Sequence, residues 1–218
     1  MKQMAQKIST AVLMFAVAGT LTLTQSAFAA APVAAEAGAA LQEKTPHQII
    51  EQATKELFAS VKKNNAAVKK SDEYYADITR ILDSVVDFPY IAKAVMRKSG
   101  KGATPEQVEK FTAAFKNGLV KTYAKGIANY ADSTVKTLPS TAEAGARRLS
   151  VDQDVTDKGN VHRLSYTMAQ NKAGEWKLIN VVLNGVNLGD SFTSQFDQAM
   201  IKNSNDIDKV IANWLASN

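Results

Sequence analysis

At Ser133 the spacing of apolar residues changes from three or four to two, and this switch limits the chain to folds in which helices and strands are segregated. Upstream, Ile50, Ala53, Leu57 and Val61 recur at helical spacing, as do Tyr74, Ile78, Ile81, Leu82 and Val85. Downstream, four stretches alternate: Thr134 to Leu138, Ala146 to Thr156, Val161 to Gln170 and Glu175 to Val186. Turn signals separate the later ones, Asp157-Lys158-Gly159-Asn160 and Asn171-Lys172-Ala173-Gly174. Two last helices are expected from Ser191 and from Ser204, with Phe192, Phe196 and Ala199, then Ile207, Val210, Ile211 and Trp214, on their buried sides. Helices, four antiparallel strands, then helices predict an α+β class with helices packed on one face of a curved sheet.

Helix starts are written in the local chemistry. Thr45-Pro46-His47-Gln48 and Thr104-Pro105-Glu106-Gln107 each combine an N-cap threonine, a proline in the first turn and a glutamine three residues after the cap. The second opens a long amphipathic helix through Val108, Phe111, Phe115, Leu119, Tyr123, Ile127 and Tyr130. Gly118 and Gly126 lie inside it, which points to a kink or a close approach. Pro89 in Asp87-Phe88-Pro89 should stop or bend the helix begun at Ser71, and a short helix is expected from Tyr90 to Arg97.

One strand does not follow a simple pattern. In Trp176-Lys-Leu-Ile-Asn-Val-Val-Leu-Asn-Gly-Val-Asn-Leu-Gly189, Ile179, Val181 and Leu183 form one apolar face. The other face carries Trp176, Leu178, Asn180, Val182 and Asn184, both apolar and amide-bearing. Something must cover each side.

The N-terminus reads as an export signal: Lys2 and Lys7, an apolar run of about 13 residues and the small-residue site Ala27-Phe28-Ala29, too short for the ~20 residues of a membrane span. Residues 1–29 are therefore expected to be a cleaved signal peptide, residues 30–44 a disordered arm and residues 45–218 one domain. Loss of Lys2 and Lys7 leaves 24 of the 26 basic residues against 21 acidic ones, a net charge of +3, which is no nucleic-acid footprint. There is no cysteine, so neither a disulfide framework nor a lipoprotein anchor is expected.

A catalytic set is not apparent. His47 and His162 are the two histidines, and neither is followed by a metal ligand at helical spacing. Ser99-Gly100-Lys101-Gly102 lacks the full phosphate-loop pattern and a preceding strand, and reads as a loop between helices. Asp152 and Asp154 share a strand face, where solvation is the plain reading. Arg147-Arg148 and the lysine pairs at 62–63 and 69–70 read as ordinary surface charge. No cofactor and no metal are expected. An exported α+β domain with an unusually apolar sheet favours a binder of something apolar over an enzyme.

The segment Gly102-Ala-Thr-Pro-Glu-Gln-Val-Glu-Lys-Phe-Thr-Ala-Ala-Phe115, followed by Leu119 and Tyr123, resembles the corresponding helix of the MlaC family, also called toluene-tolerance auxiliary proteins. Trp176 to Val186, with Gly185-Val186-Asn187-Leu188, resembles that family's strand leading into its penultimate helix. The Thr45-Pro46 start and the Asp87-Phe88-Pro89-Tyr90 turn fit as well, so the resemblance spans the mature chain. The chain departs from the family at Asn180, where Asp is common, and at Arg97-Lys98, where Leu-Gly is common.

This resemblance implies a periplasmic phospholipid carrier with an NTF2-like arrangement of helices around a curved sheet. Its cavity would take the acyl tails, and it would have no catalytic residues. The implied partners are an outer-membrane lipoprotein/porin complex and an inner-membrane ABC transporter with an MCE-domain subunit. Residues expected to line the cavity are Phe111, Phe115, Leu119, Leu164, Tyr166, Met168, Ile179, Val181 and Leu183. Basic residues Arg97, Lys98, Lys101 and Arg147-Arg148 are expected to guide docking. Competing readings are an NTF2-like enzyme acting on a small apolar substrate and a periplasmic chaperone.

Overall fold

A computed structural model of the chain describes residues 44–63, 72–127, 130, 132–139 and 145–214. The expected signal peptide and nearly all of the expected arm lie outside these residues, as does the lysine pair at 69–70.

Four helices come first: α1 (Pro46–Lys63), α2 (Asp72–Val85), α3 (Phe88–Met96) and α4 (Pro105–Ile127). Both capping boxes close as the sequence predicts. Gln48 N donates to Thr45 Oγ1 at 3.3 Å while Thr45 N donates to Gln48 Oε1 at 2.8 Å. The Thr104 and Gln107 pair repeats this at 3.2 and 3.0 Å, satisfying two N–H groups that the helix itself leaves without acceptors. α2 stops at Val85, just before this turn, and Pro89 itself belongs to the next helix. Asp87 caps α3 by accepting from Tyr90 N at 2.9 Å, and Pro89 occupies the first turn, where its missing N–H costs nothing. Of the kink or close approach expected at Gly126, the close approach is absent, since an added Cβ would meet nothing within 4 Å.

The sheet has five strands rather than four, all antiparallel, in the order β1 (Thr134–Thr137), β2 (Arg148–Asp157), β3 (Asn160–Gln170), β4 (Trp176–Leu183) and β5 (Val186–Asn187). The extra strand arises because Asn184 and Gly185 both take positive φ, 48° and 84°, and fold the expected fourth strand back on itself. Two such residues in sequence make the hairpin turn whose twist matches that of its strands. Asn187 then caps α5 (Leu188–Lys202), which starts earlier than the apolar spacing indicates, and Asp206 caps α6 (Ile207–Ala212).

Buried apolar side chains form three separate clusters among the described residues. One joins α3, α4, α5 and α6 around Phe111, Phe115, Phe196 and Trp214. Another joins α1, α2 and α4 around Val61, Tyr74, Ile78 and Val120, and Tyr74 Oη donates to the Ala124 carbonyl at 2.8 Å. The third is the only one to include the sheet: Val151, Met168 and Leu178 against Ile50 and Val85. The clusters adjoin one another: Val86 packs against the first and the third, and Leu82 against the first two.

Candidate ligand site

Cross-strand pairing defines the inner face of the sheet, the side that meets α1. Leu149 pairs with Met168, Val151 with Tyr166 and Gln153 with Leu164; Tyr166 pairs in turn with Val181, and Leu164 with Leu183. Directly opposed residues project to the same side, so all of these share the inner face. Gln153 is its one buried polar group, and both ends are satisfied: Oε1 accepts from Thr54 and Nε2 donates to Thr137, each at 3.1 Å.

The double-sided greasiness of β4 has a geometric cause. Between Thr167 and Met168 the register slips, so that Thr167 pairs with Asn180 and Met168 with Leu178, leaving Ile179 without an opposite residue. A bulge of this kind shifts the alternation by one. Trp176 and Leu178 therefore join Val181 and Leu183 on the inner face, although they differ from them in period-two phase. Ile179, expected to share that face with Val181, is the extra residue of the bulge, and it is buried. On the opposite side, Asn180 Oδ1 accepts from Gly189 N at 3.1 Å, joining β4 to the first turn of α5. Helix contact with β4 is thus not confined to one face.

The nine expected lining residues separate into groups. Phe111 and Phe115 are wholly enclosed in the helical cluster, with Leu119 packed against it. Met168 is fully buried in the sheet cluster, with Tyr166 and Val181 partly buried beside it. Leu164 and Leu183 oppose each other and belong to none of the three clusters, as does the buried Ile179. Burial pushes the Tyr166 hydroxyl far above its ordinary pKa, although the side chain keeps accessible surface.

Two open grooves lie elsewhere. One of about 850 Å³ runs between the end of α2, α3 and the first half of α4, with Val86, Phe88, Pro89 and Val108 among its apolar walls and Lys93 and Lys116 at its rim. It contains none of the nine residues. Another of about 570 Å³ lies beside α1 and reaches the sheet only at Trp176 and Lys177.

Several charged candidates make contacts within the fold. Arg163 makes a two-pronged ion pair with Asp154 directly across the strands, and the guanidinium holds that carboxyl below its usual range. Ser99 in the loop after α3 donates to Asp197 of α5, and Lys98 pairs with the same carboxylate at 3.3 Å, so these two serve helix packing. Arg147 donates to Gln170 at 3.3 Å. No cluster able to hold a metal ion occurs among the described residues, and none of their helices is long and apolar enough to cross a membrane.

The sequence profile of the MlaC protein family matches residues 51–216. The chain belongs to the MlaC family. Among its relatives, the toluene tolerance protein Ttg2D of Pseudomonas putida is 38% identical over 174 residues, covering 78% of this chain and 80% of its own. The MlaC of Haemophilus influenzae, named as the binding protein of an intermembrane phospholipid transport system, is 26% identical over 154 residues, or 68% and 72% of the two chains. A solved phospholipid-binding protein from Ralstonia solanacearum, in complex with a phospholipid, superposes with a TM-score of 0.66 at 23% identity and covers 80% of this chain and all of its own, so the fold is shared. In this MlaC-family chain the segments that carried the resemblance are α4, in the helical cluster, and the bulged β4 with its turn into α5.

Proposed function

We propose that the chain is a non-catalytic periplasmic carrier that holds the acyl tails of a phospholipid between the inner face of the sheet and the helices, in an NTF2-like arrangement. The observation that carries this reading is that the inner face is apolar through β3 and β4, yet the core it shares with the helices takes in Met168 and Leu178 and leaves out Leu164 and Leu183. Leu164, Tyr166, Val181 and Leu183, with Met168 beside the shared core, are the tail contacts; Phe111, Phe115 and Leu119 belong to the helical core and give the domain its rigidity. The names of the Haemophilus and Ralstonia relatives support the ligand class. By the same relationship the partners are the outer-membrane lipoprotein/porin complex and the inner-membrane ABC transporter with its MCE-domain subunit, and export uses the signal at residues 1–29.

The energetics explain why such a protein needs no reactive group. Two acyl tails hold about 30 methylenes at ~0.8 kcal/mol each, so bare lipid in water faces a cost of order 20 kcal/mol. A pocket that replaces bilayer hydrocarbon with protein hydrocarbon removes most of that cost. Small differences in contact at each end then decide whether lipid is taken or released.

The test is lipid extraction and native mass spectrometry of freshly purified protein. Bound diacyl phospholipid is expected, abolished by Leu183→Asp with helical content retained, and unaffected by Ala113→Trp in the 850 Å³ groove. Loss with Ala113→Trp alone would move the ligand to the groove, and lipid-free wild type would overturn the reading.

A further inference from the structure

Helix α3 separates its residues into two sides. Phe88, Ile91, Ala92, Val95 and Met96 recur at three- and four-residue steps and pack in the helical cluster. The opposite side holds Tyr90, Lys93, Ala94 and Arg97, all exposed, with Arg97 still helical at φ −49° and ψ −36°. Steps of three, four and seven place these four on one face. From Phe88 to Pro105 the chain carries four basic residues, Lys93, Arg97, Lys98 and Lys101, and no acidic one. The turn after α3 is fastened to the helix end: Gly100 N donates to the Met96 carbonyl at 2.7 Å and Ala103 N to the Gly100 carbonyl at 2.9 Å, with the exposed Lys101 between them.

Most of this charge is not neutralised within the fold. Lys98 pairs with Asp197, whereas Lys93, Arg97 and Lys101 enter no ion pair among the described residues. Two carboxylates near α3 are engaged elsewhere: Asp83 holds Lys116 at 3.1 Å, and Asp87 caps Tyr90 N. Glu109 stands on the α4 wall of the groove that opens beside Lys93. Tyr90, 47% exposed, adds an aromatic ring to the cationic face, and Val86, Phe88, Pro89 and Val108 give the groove at its flank apolar walls. Cations, an exposed tyrosine and an apolar flank are the parts of an interfacial contact. Ammonium and guanidinium groups meet phosphates, and the tyrosine ring sits at headgroup depth with its hydroxyl in water.

We propose that the outer face of α3, with Tyr90, Lys93, Arg97 and the adjoining Lys101, docks on the surface of an anionic phospholipid bilayer. The contact concerns how the protein meets a membrane and not the lipid it holds, so it stands independently of the acyl site on the sheet. Charge of one sign along the whole face suits a surface of uniform negative charge. Two of the three unpaired cations are lysines, which are depleted at protein–protein interfaces. Against an anionic leaflet, by contrast, each lysine or arginine contributes roughly a fivefold gain in binding.

Cosedimentation of the mature chain with large vesicles tests it. Wild type is expected to pellet with vesicles of mixed phosphatidylglycerol and phosphatidylcholine, to stay in solution with phosphatidylcholine alone, and to be released by added salt. Lys93→Gln/Arg97→Gln/Lys101→Gln removes three contributions of about fivefold each, so affinity for the mixed vesicles should fall about a hundredfold, and Arg97→Gln alone should lower it about fivefold. Lys55→Gln/Lys62→Gln/Lys63→Gln makes the same change in net charge at exposed positions on α1 and should cost no more than about fivefold. Tyr90→Ala should bring a smaller loss that salt does not alter. Lipid content and circular dichroism should match wild type in both triple variants, and loss of bound lipid from the α3 variant would overturn the separation from the acyl site. Equal losses in the two triple variants, or equal retention of wild type on neutral vesicles, overturn the assignment to α3. Wild type that stays in solution with the mixed vesicles overturns the proposal and leaves the face to an acidic protein partner.

Discussion

Phe111 and Leu164 were alike as sequence positions, both apolar residues expected to face a ligand, and the structure makes them behave oppositely. Phe111 is fully buried, with its ring edge-on to Phe196 and to Trp214 at 5.0 Å each and 5.9 Å from Phe115. Truncation of a buried phenylalanine to alanine costs ~3–5 kcal/mol, and loss of two edge-on ring pairs, at about 0.5–1.5 kcal/mol apiece, places Phe111→Ala in the upper part of that range. With about 2–4 °C of melting temperature per kcal/mol for a domain of this size, a fall of roughly 10–15 °C is expected. Leu164 is partly exposed and outside every buried cluster, so Leu164→Ala should cost only ~1 kcal/mol in protein stripped of lipid. The assay is thermal denaturation of delipidated protein followed by far-ultraviolet circular dichroism, with phosphorus analysis of the protein as purified. Leu164→Ala should lower lipid content with little change in melting. Equal falls in melting temperature, or a Phe111→Ala variant that sheds lipid while melting normally, would refute the division between wall and core.

Three further outcomes follow from local geometry. An added Cβ at Gly189 would lie 2.7 Å from Asn180 Oδ1, so Gly189→Ala should destabilise by about 1–3 kcal/mol, and Asn180→Ala in the same chain should recover part of that loss. Independent, additive costs in urea titrations would contradict the contact. The Asp197 carboxyl is held below its ordinary pKa by the Ser99 hydroxyl and then by Lys98. Its stabilisation is therefore present above the unfolded value near pH 4 and fades as pH falls through the folded one. The gap in urea midpoint between wild type and Asp197→Asn should narrow between pH 5 and pH 3, and a constant gap would exclude the linkage. Asn184→Val places a β-branched residue at a φ of 48° and removes the acceptor for Arg163 N, so it should lower the melting temperature and release His162, whose proton resonances would shift.

Local chemistry carried the helix starts into the sequence, since a capping box needs only neighbours within three residues, as at Thr45 and Thr104. The switch at Ser133 likewise announced the sheet. What failed was anything that changed phase without changing composition. Asn184-Gly185 is a strong hairpin signal, but apolar residues on both sides of it hid the reversal. The slip at Ile179 carries no signal of its own, because an extra apolar residue within an apolar strand still looks like a strand. Period-two reasoning therefore assigned Leu178 to the wrong face. The groove between α2, α3 and α4 and the division of the core into three depend on contacts between residues tens of positions apart, which no local pattern records.

The slip at Ile179 also means that β4 is specified by residue count as well as by residue type. Exchanging Ile179 for valine or leucine leaves the strand the same length and the same two halves in step. Removing it would set Leu178 beside Asn180, so that Trp176, Leu178, Val181 and Leu183 fall into strict alternation and keep the face and the partners they already have. The strand can thus lose one codon without turning Leu178 from Met168, whereas the gain of one would need a second bulge or would carry Trp176 and Leu178 to the far side.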